Sequence, residues 1–520
     1  MAEDTKQQDN QLQPEVQLSN RRIAKNALML YIRMFLTMIV GLYTSRVVLA
    51  TLGVEDYGIY GVVGGVVAMM GFLNASMSGA TSRFLTFELG RGDQKRLADT
   101  FSSALIVHIG IALVVFVLAE TIGLWFLCNK LVIPAGRMEA AHWVYQCSIL
   151  SAMLGITQAP YNASIIAHEK MDVYAYIEIL HVVLKLLIVY LLVIGNLDKL
   201  KLYAVLMIIV SIVIFLIYQI YCSFKFKETH FHWVWKKNVL KPLVSFSGWD
   251  LYGNGCVTIR QQSVNFLINM FFGVVYNAAS SVATTVQGVV TSFAAVVVQA
   301  FRPQIIKSYA INDIPRMSEL SGNAIKLVLL LFGCVAVPVI FEMEFLMKMW
   351  LIEVPQKSVV FCRILMIFMF FALANNIFII CIHSTGRIFR ISLYTGSIHL
   401  LVVPCVYSAF KFGGAIELSY ILVLIAGVFI DICNLWIIKK QIPTMNIKKL
   451  ITNWGQAILI VILVSILTYF VYRSMEQSWL RLIVLTGTHV ISLVFLSLFF
   501  VLTKEQRLIL KNVILTKHKT

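Results

Sequence analysis

The sequence predicts an all-α polytopic membrane protein with about fourteen transmembrane helices. Three observations predict it. Apolar residues fall in repeated runs of about 20, enough to cross a hydrocarbon core ~30 Å thick as helix at ~1.5 Å per residue. Hydrophobic residues make up 59% of the 520 and charged residues only 13%, with a mean hydropathy of +0.82, a balance that no water-soluble fold sustains. Every segment between runs is short, the largest being roughly 20 residues around Ser223 to Leu240, so no soluble catalytic domain is inserted.

Taken in order, residues 1–24 are polar and Gln-rich with no apolar core of a signal peptide, and read as a disordered cytoplasmic N-terminus. The first span, 27–50, therefore inserts uncleaved. Spans 58–80, 100–127, 142–164, 173–195 and 202–222 complete an N-lobe over 25–222, and 223–242 is a basic cytoplasmic linker. Spans 243–272, 277–300, 322–345, 358–382, 391–410 and 417–438 make a C-lobe over 243–438. Two more, 452–472 and 480–502, occupy 439–502, and 503–520 is a cytoplasmic tail. Pro160, Pro338 and Pro404 fall within apolar runs and are expected to kink their helices.

Cations set the orientation, because positively charged loops resist translocation. Arg21, Arg22 and Lys25, then Arg83 to Arg96, Lys225 to Lys241, Arg302 to Arg316, Lys439 to Lys449 and the Lys504 to Lys519 tail all fall in one alternating set of loops. The other set holds scattered cations such as Lys130, Arg137, Lys348 and Lys411. Both termini are thus expected in the cytoplasm, which an even number of spans satisfies. The formal charge of +17 is topological, not a nucleic-acid face, since the basic residues form no single stripe. The nine cysteines lie mostly inside apolar runs without C-x-x-C pairs, so they read as small buried hydrophobes and not as metal or redox ligands.

An internal repeat appears at an offset of about 220 residues. Gly53, Tyr57, Arg83, Asp93 and Arg96 have counterparts in Gly273, Tyr276, Arg302, Asp313 and Arg316. Each copy begins on the same side of the membrane, so the repeat is parallel. It predicts two six-helix lobes about an axis normal to the membrane with a cavity between them, and two extra C-terminal helices outside that pair. The competing account is that helical hairpins share turn glycines and positive-inside arginines anyway; the matched Asp-x-x-Arg spacing favours duplication.

Ionisable side chains at membrane depth are costly and usually face a wet cavity or a partner. Here they are Arg33, Arg46, Lys185, Arg260 and Arg363, with Glu120, Glu178, Asp250 and Asp431. Arg33, Arg46 and Arg363 sit within two turns of predicted helix ends, where snorkelling to the headgroups competes with a site role. Arg33 and Arg46 are also thirteen positions apart, about 220° around an ideal helix, so both reach one cavity only if the span bends near Gly41. Asp250, Asn254, Gln261 and Asn265 recur at spacings of four, seven and four, which makes a polar stripe on the seventh span with Arg260 at its flank. Ser280, Thr284, Gln287 and Thr291 form another on the eighth. Such stripes either line a cavity or bond helices together. Asp250 is a candidate proton or sodium site, or else a structural partner of a cation. His230 and His232 read as solvated side chains of the linker. No phosphate-binding loop, nucleophile elbow or H-E-x-x-H occurs, so no cofactor is expected and energy must come from a gradient or from disposal of the substrate.

The stretch Ser45-Arg46-Val47-Val48-Leu49-Ala50-Thr51-Leu52-Gly53-Val54-Glu55-Asp56-Tyr57-Gly58-Ile59-Tyr60 resembles the first hairpin of Wzx-type polysaccharide flippases, of the multidrug, oligosaccharidyl-lipid and polysaccharide exporter (MOP) superfamily. Gly273-Val274-Val275-Tyr276-Asn277-Ala278 and Phe301-Arg302-Pro303 resemble the start of that family's second lobe, and the likeness in layout covers nearly the whole chain. The resemblance implies alternating access, a cavity lined by spans one, two, seven and eight, and an oligosaccharide on polyprenyl pyrophosphate as cargo. It points to Arg33, Arg46 and Arg260 for the anionic head, with Asn254, Gln261, Asn265, Thr284 and Gln287 solvating sugars. Fourteen spans exceed the twelve of many relatives, and the coupling ion, H+ or Na+, is left open.

The expected function is a flippase of a bacterial inner membrane, without enzymatic activity, that acts on a lipid-linked oligosaccharide alongside other polysaccharide-assembly proteins. The alternatives are a cation-coupled multidrug exporter, which would want acidic cavity residues, and a membrane-embedded glycan polymerase or ligase, which would want a large outer loop.

Overall fold

The computed structural model describes residues 25–40, 71–129, 135–192, 198–351 and 354–497, with residue 133 and isolated positions between 43 and 63. Among these residues there are helices and no strands. They are α1 (25–40), α2 (Gly71–Arg91), α3 (Gln94–Asn129), α4 (Met138–Ala167), α5 (Met171–Leu191), α6 (Lys199–Lys225) and α7 (Lys237–Phe272). They continue with α8 (Val274–Ala310), α9 (Ile314–Trp350), α10 (Ser358–Ser384), α11 (Phe389–Lys411), α12 (Glu417–Gln441), α13 (Ile447–Ser474) and α14 (Trp479–Leu496). Nine of these, among the described residues, are long and apolar enough to cross a membrane. The shortfall against fourteen spans has a chemical cause at α7, where Asp250, Asn254, Arg260, Gln261, Gln262 and Asn265 dilute the apolar run.

Helices outrun the predicted spans because nothing stops a helix at the edge of the hydrocarbon. α9 has 37 residues, about 55 Å of helix, and it begins with Arg316 and Glu319 in its first two turns. The helices run on through Pro160, Pro338 and Pro404, and also through Pro242 and Pro303. In α3 the winding loosens into a π-turn at Ala119–Gly123. The Tyr145 hydroxyl donates to the Ala119 carbonyl at 2.7 Å and so supplies a partner where the ladder is disturbed. A Cβ at Gly123 would meet that hydroxyl at 2.1 Å.

The contacts divide the chain into two units, up to Leu251 and from Tyr252, so the division falls inside α7 rather than in the linker before it. In the first unit α4 packs against α2, α3 and α6, and α5 packs against α6. Phe101, Tyr161, Ile214 and Tyr218 form its core, with the Phe101 and Tyr161 rings edge to face at 5.3 Å. The start of α7 belongs here, with Leu243 against Met77 and Ala104 and Phe246 edge-on to Phe84.

In the second unit α10 packs against α8, α9 and α12, and α11 against α12, which repeats the arrangement of the first. Its core includes Phe361 stacked on Tyr420 at 4.5 Å. α13 and α14 pack on α9. Small residues permit this close approach, as they must where lipid removes the hydrophobic drive between helices. A Cβ at Gly333 would lie 2.9 Å from Val461, and one at Gly322 only 2.3 Å from the Asn453 amide. The contact is fastened by Arg481, which donates to both carboxylate oxygens of the fully buried Glu342 at 2.6 and 2.8 Å. His489 bridges Thr468 at 2.8 Å and the Gly333 carbonyl at 3.2 Å.

The two units carry a repeat whose register extends beyond the sequence motifs. The N-termini of α3, α4, α5 and α6, at 94, 138, 171 and 199, recur in α9, α10, α11 and α12 at 314, 358, 389 and 417, offsets of 220, 220, 218 and 218. The Asp-x-x-Arg motif is a helix cap in both copies. Asp93 accepts from the backbone N–H of Arg96 and Asp313 from that of Arg316, each at 3.0 Å. A left-handed residue precedes each cap, Gly92 at φ +76° and Asn312 at φ +61°, so the chain reverses between α2 and α3 as it does between α8 and α9. Gly53 and Tyr57, which open the first copy, lie outside the described residues, while Gly273 is left-handed at φ +90°.

Candidate functional site

The second half of α7 and its neighbour α11 approach closely because each presents a glycine to the other. Gly253 faces Ser392, and a Cβ at Gly396 would sit 3.0 Å from Tyr252 and 3.2 Å from the Cys256 sulfur. Two turns after Gly253 on α7 and one turn after Gly396 on α11, this contact brings Arg260 and His399 within electrostatic reach of one another. Arg260 is only 9% exposed, its Nε finds no acceptor, and the Nδ1 of His399 is likewise unmatched. No carboxylate pairs with Arg260 among the described residues. A guanidinium taken out of water without an acidic partner is a standing demand for an anion or for ordered water.

The polar stripes divide by role. Asn265 accepts a hydrogen bond from the Ser280 hydroxyl at 2.9 Å, which joins α7 to α8. Gln287 donates to the Met369 sulfur at 2.8 Å and so joins α8 to α10. Both therefore hold helices together, whereas Asn254 and Gln261 are exposed on α7. Thr284 is half-buried and engaged, as is Asp250, which lies on the part of α7 that belongs to the first unit.

In the first unit Arg33 is tied down. It donates to the Tyr174 hydroxyl at 2.8 Å, and its guanidinium carbon lies 4.7 Å from the centre of that ring. On the same helix as Tyr174, Glu178 accepts from the buried Tyr218 of α6 at 3.2 Å and lies within electrostatic reach of Lys185. At the end of this network Lys25 pairs with Asp172 at 3.0 Å. Burial pushes the Asp172 carboxyl up, but the bond and charge of Lys25 together with backbone N–H groups outweigh it and hold the group below the usual carboxylate range. Arg46 lies outside the described residues. Arg363 donates to the Ile340 carbonyl at 3.1 Å, so it braces α10 against α9.

Of the linker histidines, His230 is exposed, whereas His232 is bonded within the first unit. His232 contacts Asp99 at 3.1 Å and Ser102 at 3.0 Å, and Lys236 joins Asp99 at 2.6 Å. His168 meets Glu228 at 2.6 Å while stacking on Phe226 at 4.1 Å. These bonds pin the linker to α3 and α4. Among the described residues no cluster of His, Cys, Asp and Glu has the arrangement to hold a metal ion.

Sequence reasoning passed over His399, Asn375 and Asn434. The Asn434 amide donates to the Asn375 side chain at 2.6 Å between α12 and α10. Their signal was a polar side chain within an apolar run, but neither falls in a stripe, so only the fold brings them together.

No family model matches the chain, and no curated protein matches it in sequence. Solved structures do. An outward-facing multidrug resistance MATE family transporter of the MOP superfamily superposes with a TM-score of 0.67 at 14% identity, over 81% of this chain and 95% of that one. MATE in its bent conformation gives 0.69 at 14% identity, over 84% and 97%. A MOP superfamily transporter from Pyrococcus furiosus, described by a reversed polarity of its binding pocket that suggests a different function, gives 0.64 at 14%, over 81% and 95%. The chain therefore has a MATE-like fold and is a multi-pass membrane protein.

Proposed function

We propose that the chain is a flippase that moves a polyprenyl-pyrophosphate-linked oligosaccharide across a bacterial inner membrane by alternating access, with both termini in the cytoplasm. The observation that carries this reading is Arg260, a buried cation on α7 with no acidic partner among the described residues and an imidazole as its ionisable neighbour. Pyrophosphate is the complement of that arrangement, since guanidinium matches phosphate oxygens in charge and in fork geometry. The exposed Asn254 and Gln261, six positions before Arg260 and immediately after it on the same helix, are suited to sugar hydroxyls. The lipid tail would remain in the bilayer throughout, so only the polar part needs a protein path.

A multidrug exporter is the second reading, favoured by the MATE transporters that share the fold. Charge separates the two, because a cationic drug gains nothing from a buried arginine. That a transporter of this fold is described by reversed pocket polarity supports treating polarity as the discriminating property.

Translocation of a defined polyprenyl-pyrophosphate glycan by reconstituted protein tests the proposal. Arg260→Ala should reduce flux at least tenfold, while Arg260→Lys, which keeps the charge and loses the fork, should retain part of it. Export of small organic cations with no glycan flux would move the assignment to the drug exporters.

A further inference from the structure

Asp431 of α12 is buried to within 1% of its surface, and neither of its carboxylate oxygens has a hydrogen-bond partner. One turn on, Asn434 is fully buried and spends its amide on Asn375 of α10, which leaves its own carbonyl oxygen without a donor. Three buried oxygens on one face of one helix thus lack a donor. The site is deep. Asp431 stands fourteen residues after Glu417 and ten before Gln441, about 21 and 15 Å from the two ends of α12.

The packing around it is tight. Gly427, one turn before Asp431, abuts Phe368 of α10, and a Cβ there would approach the ring to 2.7 Å. The titratable groups on the helices packed against α12 are Cys362, Arg363, Cys381 and His383 on α10 and Arg390, Tyr394, His399, Cys405, Tyr407 and Lys411 on α11. On α12 itself they are Glu417, Tyr420, Cys433, Lys439 and Lys440. None of them bonds Asp431 or lies near enough to act on it electrostatically. Among the described residues nothing compensates a negative charge at this point, and an uncompensated charge at membrane depth is costly.

We infer that Asp431, with Asn434 and Asn375, is a proton-binding site of the second unit, and that its proton is exchanged in the transport cycle. A proton on one carboxylate oxygen converts an acceptor into a donor, which is the chemistry the three oxygens lack. A sodium ion, a hard cation held by several oxygens, would need ligands beyond these three, whereas a proton needs one. Loss of the proton leaves a bare carboxylate, so release requires the α10 and α12 contact to admit water. Protonation and conformation are thereby linked, as a coupled transporter needs. This inference deepens the transporter reading but does not depend on which cargo is carried.

Two measurements on the full-length reconstituted protein test it. Infrared difference spectroscopy without substrate should show a carboxylic acid C=O band that shifts in D2O, and Asp431→Asn should abolish it. In vesicles, an imposed pH gradient should accelerate transport by wild type severalfold and leave Asp431→Asn unaffected. Absence of the band from wild-type protein, or survival of the pH response in the variant, overturns the site. A response to a sodium gradient instead of a pH gradient, lost in the same variant, replaces the proton with a metal ion and also overturns it. Because the spectroscopic arm needs no cargo, failure of the flippase reading leaves it standing.

Discussion

Arg137 and Lys357, 220 positions apart, make the same ion pair in their respective units. Arg137 precedes α4 and reaches Asp198 at the start of α6 at 2.6 Å, and Lys357 precedes α10 and reaches Glu417 at the start of α12 at 2.7 Å. A third segment joins in both units. Asp56 pairs with Arg137 through both carboxylate oxygens, and Tyr276, again 220 positions on, donates to Gln356 at 3.2 Å. Each lobe thus ties three segments together at one end, and the first copy does so with the larger number of charges.

That asymmetry sets unequal costs. Arg137→Ala strands two carboxylates, one of them the N-cap of α6, and should destabilise the first unit by about 1 kcal/mol. Lys357→Ala removes one exposed pair and should have a smaller effect, close to the limit of detection. Thermal unfolding in detergent at low and high salt checks both, and the Arg137 effect should shrink as salt screens it. Equal losses would mean the extra carboxylate contributes nothing.

Linker docking should depend on acid. Burial pushes the Glu228 carboxyl up, but the hydrogen bond and charge of His168 together with a backbone N–H outweigh it, and the group is held below the usual carboxylate range. A depressed value in the folded state stabilises at every pH above the unfolded value, near 4.3, and that contribution disappears as pH falls through the folded one. Proteolysis of residues 223–236 should therefore accelerate below about pH 4. Glu228→Gln should accelerate it already at pH 7 and flatten the profile.

Most of the fold was legible because each run long enough to span hydrocarbon must satisfy its own backbone, and a helix is the way to do so within one segment. The repeat was legible at Asp93 and Asp313 for a reason the sequence did not disclose: both are helix caps, so the spacing to Arg96 and Arg316 is fixed by the first turn. The site was less legible. Stripe periodicity places Asn254, Gln261 and Asn265 on one face but does not say that Asn265 is consumed by Ser280. Nor does it join Arg260 to His399, or Asn375 to Asn434, since those neighbours are set by which helices pack. The outer-loop cation Arg137 looked incidental for the same reason, its carboxylates lying 81 and 61 positions away.

The attachment of α13 and α14 to α9 should hinge on Arg481. Removing it leaves Glu342 fully buried and unpaired, and losing one partner of a buried pair costs about 3 kcal/mol. Arg481→Ala should expose the turn between α13 and α14, whose Met475 carbonyl Arg481 also bonds at 3.2 Å, to protease and lower the unfolding temperature. The double variant Glu342→Leu, Arg481→Met removes both charges and should recover much of the loss. If it is no better than the single variant, the pair matters for something other than the buried charge.

The paired caps provide a test of whether the two copies are energetically independent. Asp93→Ala and Asp313→Ala each delete one side-chain bond to the third backbone N–H of a helix, α3 in one unit and α9 in the other, and each should cost about 1 kcal/mol. Asp313 has the added constraint of Pro315 in the first turn, which fixes the backbone at the helix entrance and should make its loss slightly milder. Because the caps share no partner and sit in separate units, the double variant should lose the sum of the two within about 0.5 kcal/mol. Asn substitutions, which keep the acceptor oxygen, should restore most of each. Unfolding free energies that deviate from the sum by more than this margin would show that the two caps are energetically coupled across the repeat.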